Sequence, residues 1–221
     1  MAVHHGLPIV TDGLVFQVDA SNKLGENITD TKSMVNPLEI GTFTNGTTVV
    51  DGEYIFDGID DYIGFGNILS FLSSDSFTFS AWVNVKTNSK HKAVFGKIGT
   101  GEKGYQFRVT SANKLRLIVL NGTGSSNYSD SNVLSAGWHN LVGIWDTVGC
   151  KIYIDGVDET NVIGTTTITN ITTTAQFSVG ADVFFSRFYS DDIISNISIY
   201  DKELTQAEIS QNYEAQKHRF E

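Results

Sequence analysis

The segment WHNLVGIWDTVGCKIYIDGV, Trp138 to Val157, decides the fold class. Its first half, His139 to Asp146, is apolar on both faces: Leu141 and Trp145 point one way, Val142 and Ile144 the other. Its second half, Lys151 to Asp155, alternates, with Ile152 and Ile154 opposed to Lys151, Tyr153 and Asp155. Thr147-Val148-Gly149 is short enough to make the two a hairpin, and Asp155-Gly156 closes the second strand with a turn pair that tolerates positive φ. A strand apolar on both faces needs cover on both. The hairpin is therefore expected at the centre of a β-sandwich.

Working outward, the same two-residue period recurs. Ser76 to Val85 (SFTFSAWVNV) puts Phe77, Phe79, Ala81, Val83 and Val85 on one face and Trp82 on the other. Further strands are expected at 13–20, 49–56, 62–66, 93–98, 104–109, 115–120, 175–180 and 193–200, joined by loops rich in Gly, Asn and Asp. Residues 121–130 read as a polar loop, and 164–174, almost all β-branched or Asn, as an exposed strand or connector. The period changes at the end. Thr205 and Glu208 form a capping box, Leu204 and Ile209 a hydrophobic staple, and one helix is predicted over 206–216. The expected fold is an all-β antiparallel jelly-roll sandwich with one short C-terminal helix. It comprises an N-terminal arm, 1–12, and a single domain, 13–221.

Composition narrows the function. The net charge of −10 supplies no basic stripe for nucleic acid. The single cysteine, Cys150, excludes an internal disulfide. No apolar stretch reaches the length of a membrane span, and MAVHHGLPIV lacks the charged and apolar regions of a secretory signal.

Several pieces, in order, resemble the laminin-G-like branch of the concanavalin A-like lectin/glucanase superfamily: FDGIDDYI (56–63), SFTFSAWVNV (76–85), GWHNLVGIWD (137–146), KIYIDGV (151–157) and ISIYDKELTQAEI (197–209). The opening HHGLPIVTDGLVFQVDASN (4–22) and the ending LTQAEISQNYEAQKHRF (204–220) resemble tailed-phage structural proteins that carry this domain. That resemblance implies a virion-surface protein: a head decoration, head fibre or tail-fibre component. Its partners would be other virion proteins, further copies of itself and host-surface glycans.

Glucanases of the superfamily place an E-x-D-x-x-E pattern on one strand, which sets acid and nucleophile on one face. None of the nine glutamates here shares a strand with a second carboxylate at i+2 or i+4, so no catalytic residue and no enzymatic activity are expected. Relatives hold Ca²⁺ at the sandwich rim. Asp60, Asp61, Asp191 and Asp192 are the candidate oxygen ligands, set against a reading in which they only shape turns. No other cofactor is expected. Sugar binding needs aromatic platforms beside hydrogen-bonding groups. Phe184, Phe185, Arg187 and Tyr189, with Tyr105 and Tyr128 from loops, have that composition. The same rings also suit packing under their own loop, or a protein interface. The expectation is a non-enzymatic virion protein with weak glycan binding, the alternative a stand-alone carbohydrate-binding module, and a glycoside hydrolase third.

Overall fold

The computed structural model describes residues 8–22, 29–122 and 124–221; the adjacent His4 and His5 of the arm lie outside them. In chain order the strands are β1 (Leu14–Asp19), β2 (Asp30–Lys32), β3 (Ile40–Thr44), β4 (Thr48–Val50), β5 (Glu53–Ile55), β6 (Tyr62–Gly64), β7 (Phe77–Val85), β8 (Lys92–Gly99) and β9 (Lys103–Val109). They continue as β10 (Lys114–Asn121), β11 (Ser126–Val133), β12 (Gly137–Trp145), β13 (Cys150–Ile154), β14 (Val157–Asp158), β15 (Asn161–Thr165), β16 (Ser178–Val179) and β17 (Ile193–Tyr200). Helix α1 (Gln206–Gln216) follows.

Two antiparallel sheets form the sandwich. One runs β14-β13-β12-β7-β17-β5-β4, with β1 also paired to β17; the other runs β15-β11-β10-β9-β8-β16-β6-β3-β2. The central strand of the first sheet is thus β7 with its neighbour β17, and the β12–β13 hairpin stands to one side of them. The turn that leaves β13 is as read: Asp155 and Gly156, which join β13 to β14, have φ of 52° and 80°, the pair of positive values a tight two-residue hairpin requires. Gly104 is also obligatory, because a Cβ there would stand 1.9 Å from the Lys97 carbonyl oxygen.

The two apolar faces of β12 have separate destinations. Leu141 and Trp145 join the inter-sheet core with Phe77, Phe79, Phe95, Phe107 and Ile152. Val142 and Ile144 join a second cluster on the outer face, with Tyr153, Tyr200, Leu204 and Ile209. Helix α1 covers that face. Thr205 caps it and Glu208 completes the capping box. Trp82, on the same outer face, is only 3% exposed. Its ring stacks on Phe220 (4.3 Å) and Tyr213 (5.8 Å), and its Nε1 donates to Gln216 Oε1 at 2.8 Å. Residues 8–12 lie along the helix: Val10 N donates to Asn212 Oδ1 (2.7 Å) and Gln211 Nε2 to the Pro8 carbonyl (2.7 Å).

Two loop expectations need correction. Residues 126–133 form β11 and not a loop; Asn127, Ser129 and Ser131 point inward, buried but hydrogen-bonded, for example Ser129 Oγ to the Cys150 carbonyl at 2.6 Å. Within 164–174, only the start continues β15, and Ile168 and Ile171 are buried anchors in an otherwise irregular crossing. Cys150 is a buried free thiol whose pKa is pushed up by burial.

Candidate functional site

Alternation along β9 and β10 builds the floor of the site. Tyr105, Phe107 and Val109, with Leu115, Leu117 and Val119, face the core. Gln106, Arg108, Arg116, Ile118 and Leu120 therefore face outward. The register sets Arg116 directly opposite Arg108 on one side and opposite Asp130 of β11 on the other. Arg116 grips Asp130 with two bonds, Nε to Oδ1 at 2.5 Å and Nη2 to Oδ2 at 2.8 Å. Its guanidinium also lies 4.3 Å from the Tyr128 ring centre.

The segment 181–190 overhangs this floor. Asp182 and Arg187 exchange backbone hydrogen bonds (2.9 and 3.1 Å), and Arg187 Nε bonds the Asp182 carboxylate at 3.0 Å. The Phe188 carbonyl accepts from Ala93 N at 2.8 Å, tying the segment to β8. Ser186 and Phe188 hold positive φ, 49° and 58°. For a bulky residue such as Phe188 that conformation is uncommon and costs energy that its surroundings must offset. The result is a fixed aromatic and cationic rim. Arg187 sits over Phe185 (4.4 Å) and Phe188 (4.6 Å), Arg108 over Phe188 (4.8 Å), and Phe184 packs edge-on against Phe185. Between rim and floor lies a groove of about 300 Å³, lined by Ile98, Glu102, Gln106, Arg108, Ile118, Leu120, Phe185, Arg187 and Phe188. That volume is at the lower end of small-ligand sites. His91 stands beside it, 5.1 Å from the Phe188 ring; burial and then the nearby arginines hold its pKa below the usual histidine value.

Of the candidates from sequence, Phe185 and Arg187 line the groove and Phe184, 48% exposed, stands beside them. Tyr189 follows in the chain but is not part of the lining. Tyr128 is on β11, on the same outer face, under Arg116. Tyr105 is withdrawn as a site residue. It is a buried strand residue, its ring among Phe71, Phe77 and Phe79 and its hydroxyl donating to the Leu69 carbonyl at 2.9 Å. Arg108, Arg116 and Gln106 are not among those candidates. Alternation alone puts all three outside, but only the register shows that the two arginines meet.

The acidic candidates behave as structural groups. Asp57, Asp60 and Asp61 bring carboxylate oxygens within 4.8 Å of one another. However, the buried Asp61 accepts from Gly46 N (2.6 Å) and Asp57 N (3.0 Å), and Asp57 Oδ1 accepts from Ile59 N (2.8 Å). A calcium centre needs six to eight oxygens, and this donor set fits a turn clamp instead. Asp192 is committed to the buried Lys92 (2.6 Å), and Asp191 bonds Asn88 (2.5 Å). Asp192 Oδ1 is thus held by the ion pair, whereas Asp192 Oδ2 and Asp191 Oδ1 are buried without a hydrogen-bond partner.

Among curated proteins no sequence matches the chain. Solved structures match by shape. The receptor-binding domain of botulinum neurotoxin C/D mosaic serotype superposes with TM-score 0.73 at 13% identity, over 94% of this chain and 52% of that one. The binding domain of Paraclostridial mosquitocidal protein 1 gives 0.71 at 14%, over 91% and 52%. Trypanosoma rangeli sialidase, as its covalent intermediate with difluorosialic acid, gives 0.71 at 15%, over 96% and 34%. The chain thus spans a third to a half of these relatives, and at such identities the likeness is one of fold. A family model of the concanavalin A-like lectin/glucanases superfamily, Laminin_G_3, matches residues 57–210. With that match covering most of the sandwich described above, the chain belongs to the concanavalin A-like lectin/glucanases superfamily.

Proposed function

We propose that this protein is a non-enzymatic glycan-binding component of a tailed-phage particle: a head decoration, head fibre or tail-fibre protein. The observation that carries the binding reading is the groove under segment 181–190. It sets aromatic rings and aliphatic side chains, which suit the C–H face of a pyranose, beside fixed guanidinium donors, which suit its oxygens. Two structural relatives are themselves named as binding domains of toxins. The non-enzymatic reading rests on the carboxylates. Glycosidases need a pair flanking the bond, whereas Glu102 is the one carboxylate of the lining and the nearby Asp130 and Asp182 are held by arginines. The virion reading rests on the two ends of the chain, whose phage-like segments pack together beside the first sheet. Display of many copies would turn weak sites into avid ones.

A glycan array probed with the whole chain tests this. Binding that is lost in Phe185→Ala with Arg187→Ala is expected. Binding left unchanged by that pair would remove the groove from the argument, and cleavage of any bound oligosaccharide would overturn the non-enzymatic reading. Immuno-electron microscopy of particles tests the location.

A further inference from the structure

The outer face of the second sheet carries a charge arrangement that folding does not explain. Arg108 and Arg116 are direct cross-strand partners on β9 and β10. Like charges in that position destabilise a sheet. Arg187 descends from the overhanging segment onto the same Phe188 ring that Arg108 touches. Three guanidiniums thus converge in a protein whose net charge is −10. Two are neutralised: Arg116 by Asp130 and Arg187 by Asp182. Arg108 is not. Its one hydrogen bond is from Nη1 to the neutral Gln106 Oε1 at 3.0 Å, and its Nε is buried without any partner. A buried unpaired donor is a cost to the fold. Glu102, the acid of the lining, stands in the turn before β9, six residues from Arg108, and forms no ion pair with it.

Building on the glycan reading of this groove, we infer that its ligand is an acidic saccharide whose carboxylate is taken by Arg108. Arg108 lines the groove with its Nε enclosed, so a carboxylate would be taken by the terminal nitrogens of the planar guanidinium, a match an ammonium does not offer. Phe188 beneath and Gln106 beside it hold the fork in place before the ligand arrives. Ile98, Ile118 and Phe185 supply apolar surface for the ring that bears the acid. The electrostatic setting agrees: burial, then Arg116 and Arg187, lower the Arg108 pKa to about 10, and an incoming anion relieves that repulsion. An anion at this point also offsets the arginines that depress His91.

The test uses the whole chain on an array of matched pairs: uronate- and sialate-bearing oligosaccharides, their neutral methyl esters, and sulfated counterparts. Carboxylate forms should bind at least about tenfold better than their esters, the equivalent of about 1.4 kcal/mol. That preference should vanish in Arg108→Gln and fall in Arg108→Lys, while any binding of the neutral esters persists. Preference for sulfate over carboxylate would overturn the choice of anion. Equal binding of acids and esters would overturn the acidic-ligand inference but leave the glycan reading standing. Failure to bind any saccharide would remove the glycan reading and this inference with it. A second readout guards against misfolding: the His91 pKa, followed by NMR in intact protein, should rise on adding the bound acid and stay fixed with its ester. A fixed His91 in both cases would place the anion elsewhere.

Discussion

Replacing Asp192 with alanine should be among the most damaging single changes in the chain. Lys92 is wholly buried, and its Nζ has three oxygens near it: Asp192 Oδ1 at 2.6 Å, the Lys86 carbonyl, and Asp191 Oδ1 at 3.9 Å. Asp192 Oδ1 also accepts from Lys86 N at 2.6 Å. Removing one member of a buried ion pair costs about 3–5 kcal/mol, because the other charge remains in low dielectric. Asp191 can take over part of the attraction, which places the loss near the bottom of that range, at roughly 3 kcal/mol. In a chain of this size that corresponds to a fall in Tm of roughly 10 °C. Urea denaturation of Asp192→Ala, Lys92→Met and the double variant Lys92→Met/Asp192→Leu, each with calcium and with EDTA, gives the answer. The double variant should recover most of the loss, since two apolar residues leave no charge stranded. A loss below about 1 kcal/mol would refute the ion-pair account, and a loss seen with calcium that disappears in EDTA would make Asp192 a metal ligand instead. The pair also matters for binding. It joins β8 to the end of the 181–190 overhang, so the variant should weaken glycan binding even below its melting point.

Three further outcomes follow from local geometry. His139 Nδ1 bonds Asp155 at 2.7 Å, and that bond above all raises its pKa in the folded protein. The stabilisation is therefore complete below the unfolded value of about 6.5 and lost as pH rises through the higher folded pKa; the Tm gap between wild type and His139→Gln should be constant below about pH 6 and shrink as the pH is raised above about 6.5. Phe220→Ala uncovers Trp82 and Trp138, which it contacts at 4.3 and 4.7 Å; a loss of about 2 kcal/mol and a red shift of tryptophan emission are expected, and an unchanged spectrum would contradict the packing. Asp61→Ala unties Gly46 and Asp57 and should cost about 1–3 kcal/mol equally with and without calcium in thermal melts.

Much of the fold was legible because periodicity and burial agree. The β12–β13 hairpin, the inward face of β7 and the capped helix at 206–216 all stand where alternation and the Thr205–Glu208 pair put them. Strand β11 was not legible, because its inward positions are Asn127, Ser129 and Ser131. Hydrogen bonds from Asn127 Nδ2 and Ser129 Oγ and to Ser131 Oγ hold these polar side chains in the core, and hydrophobic patterning cannot register that. Tyr105 misled in the opposite sense. A tyrosine beside a glycine-rich turn resembles a platform, yet it begins a buried strand whose neighbours are aromatic. For the site, the overhanging aromatic segment could be read from composition, but the meeting of Arg108 with Arg116 depends on register between strands, which a single sequence does not state.

The two outer faces of the sandwich differ for one reason that runs from sequence to function. On the first sheet, β12 and β17 turn Val142, Ile144 and Tyr200 outward, and such a face is stable only when covered. The chain covers it with its own ends, through α1 and residues 8–12. On the second sheet, β9 and β10 turn Gln106, Arg108 and Arg116 outward beside Ile118 and Leu120, which need no such permanent cover. An overhanging segment shelters that face without filling it. The outer face that opposes Arg108 to Arg116 is thus the one left open beside a groove, and the proposed acidic ligand would offset the repulsion between the two arginines there.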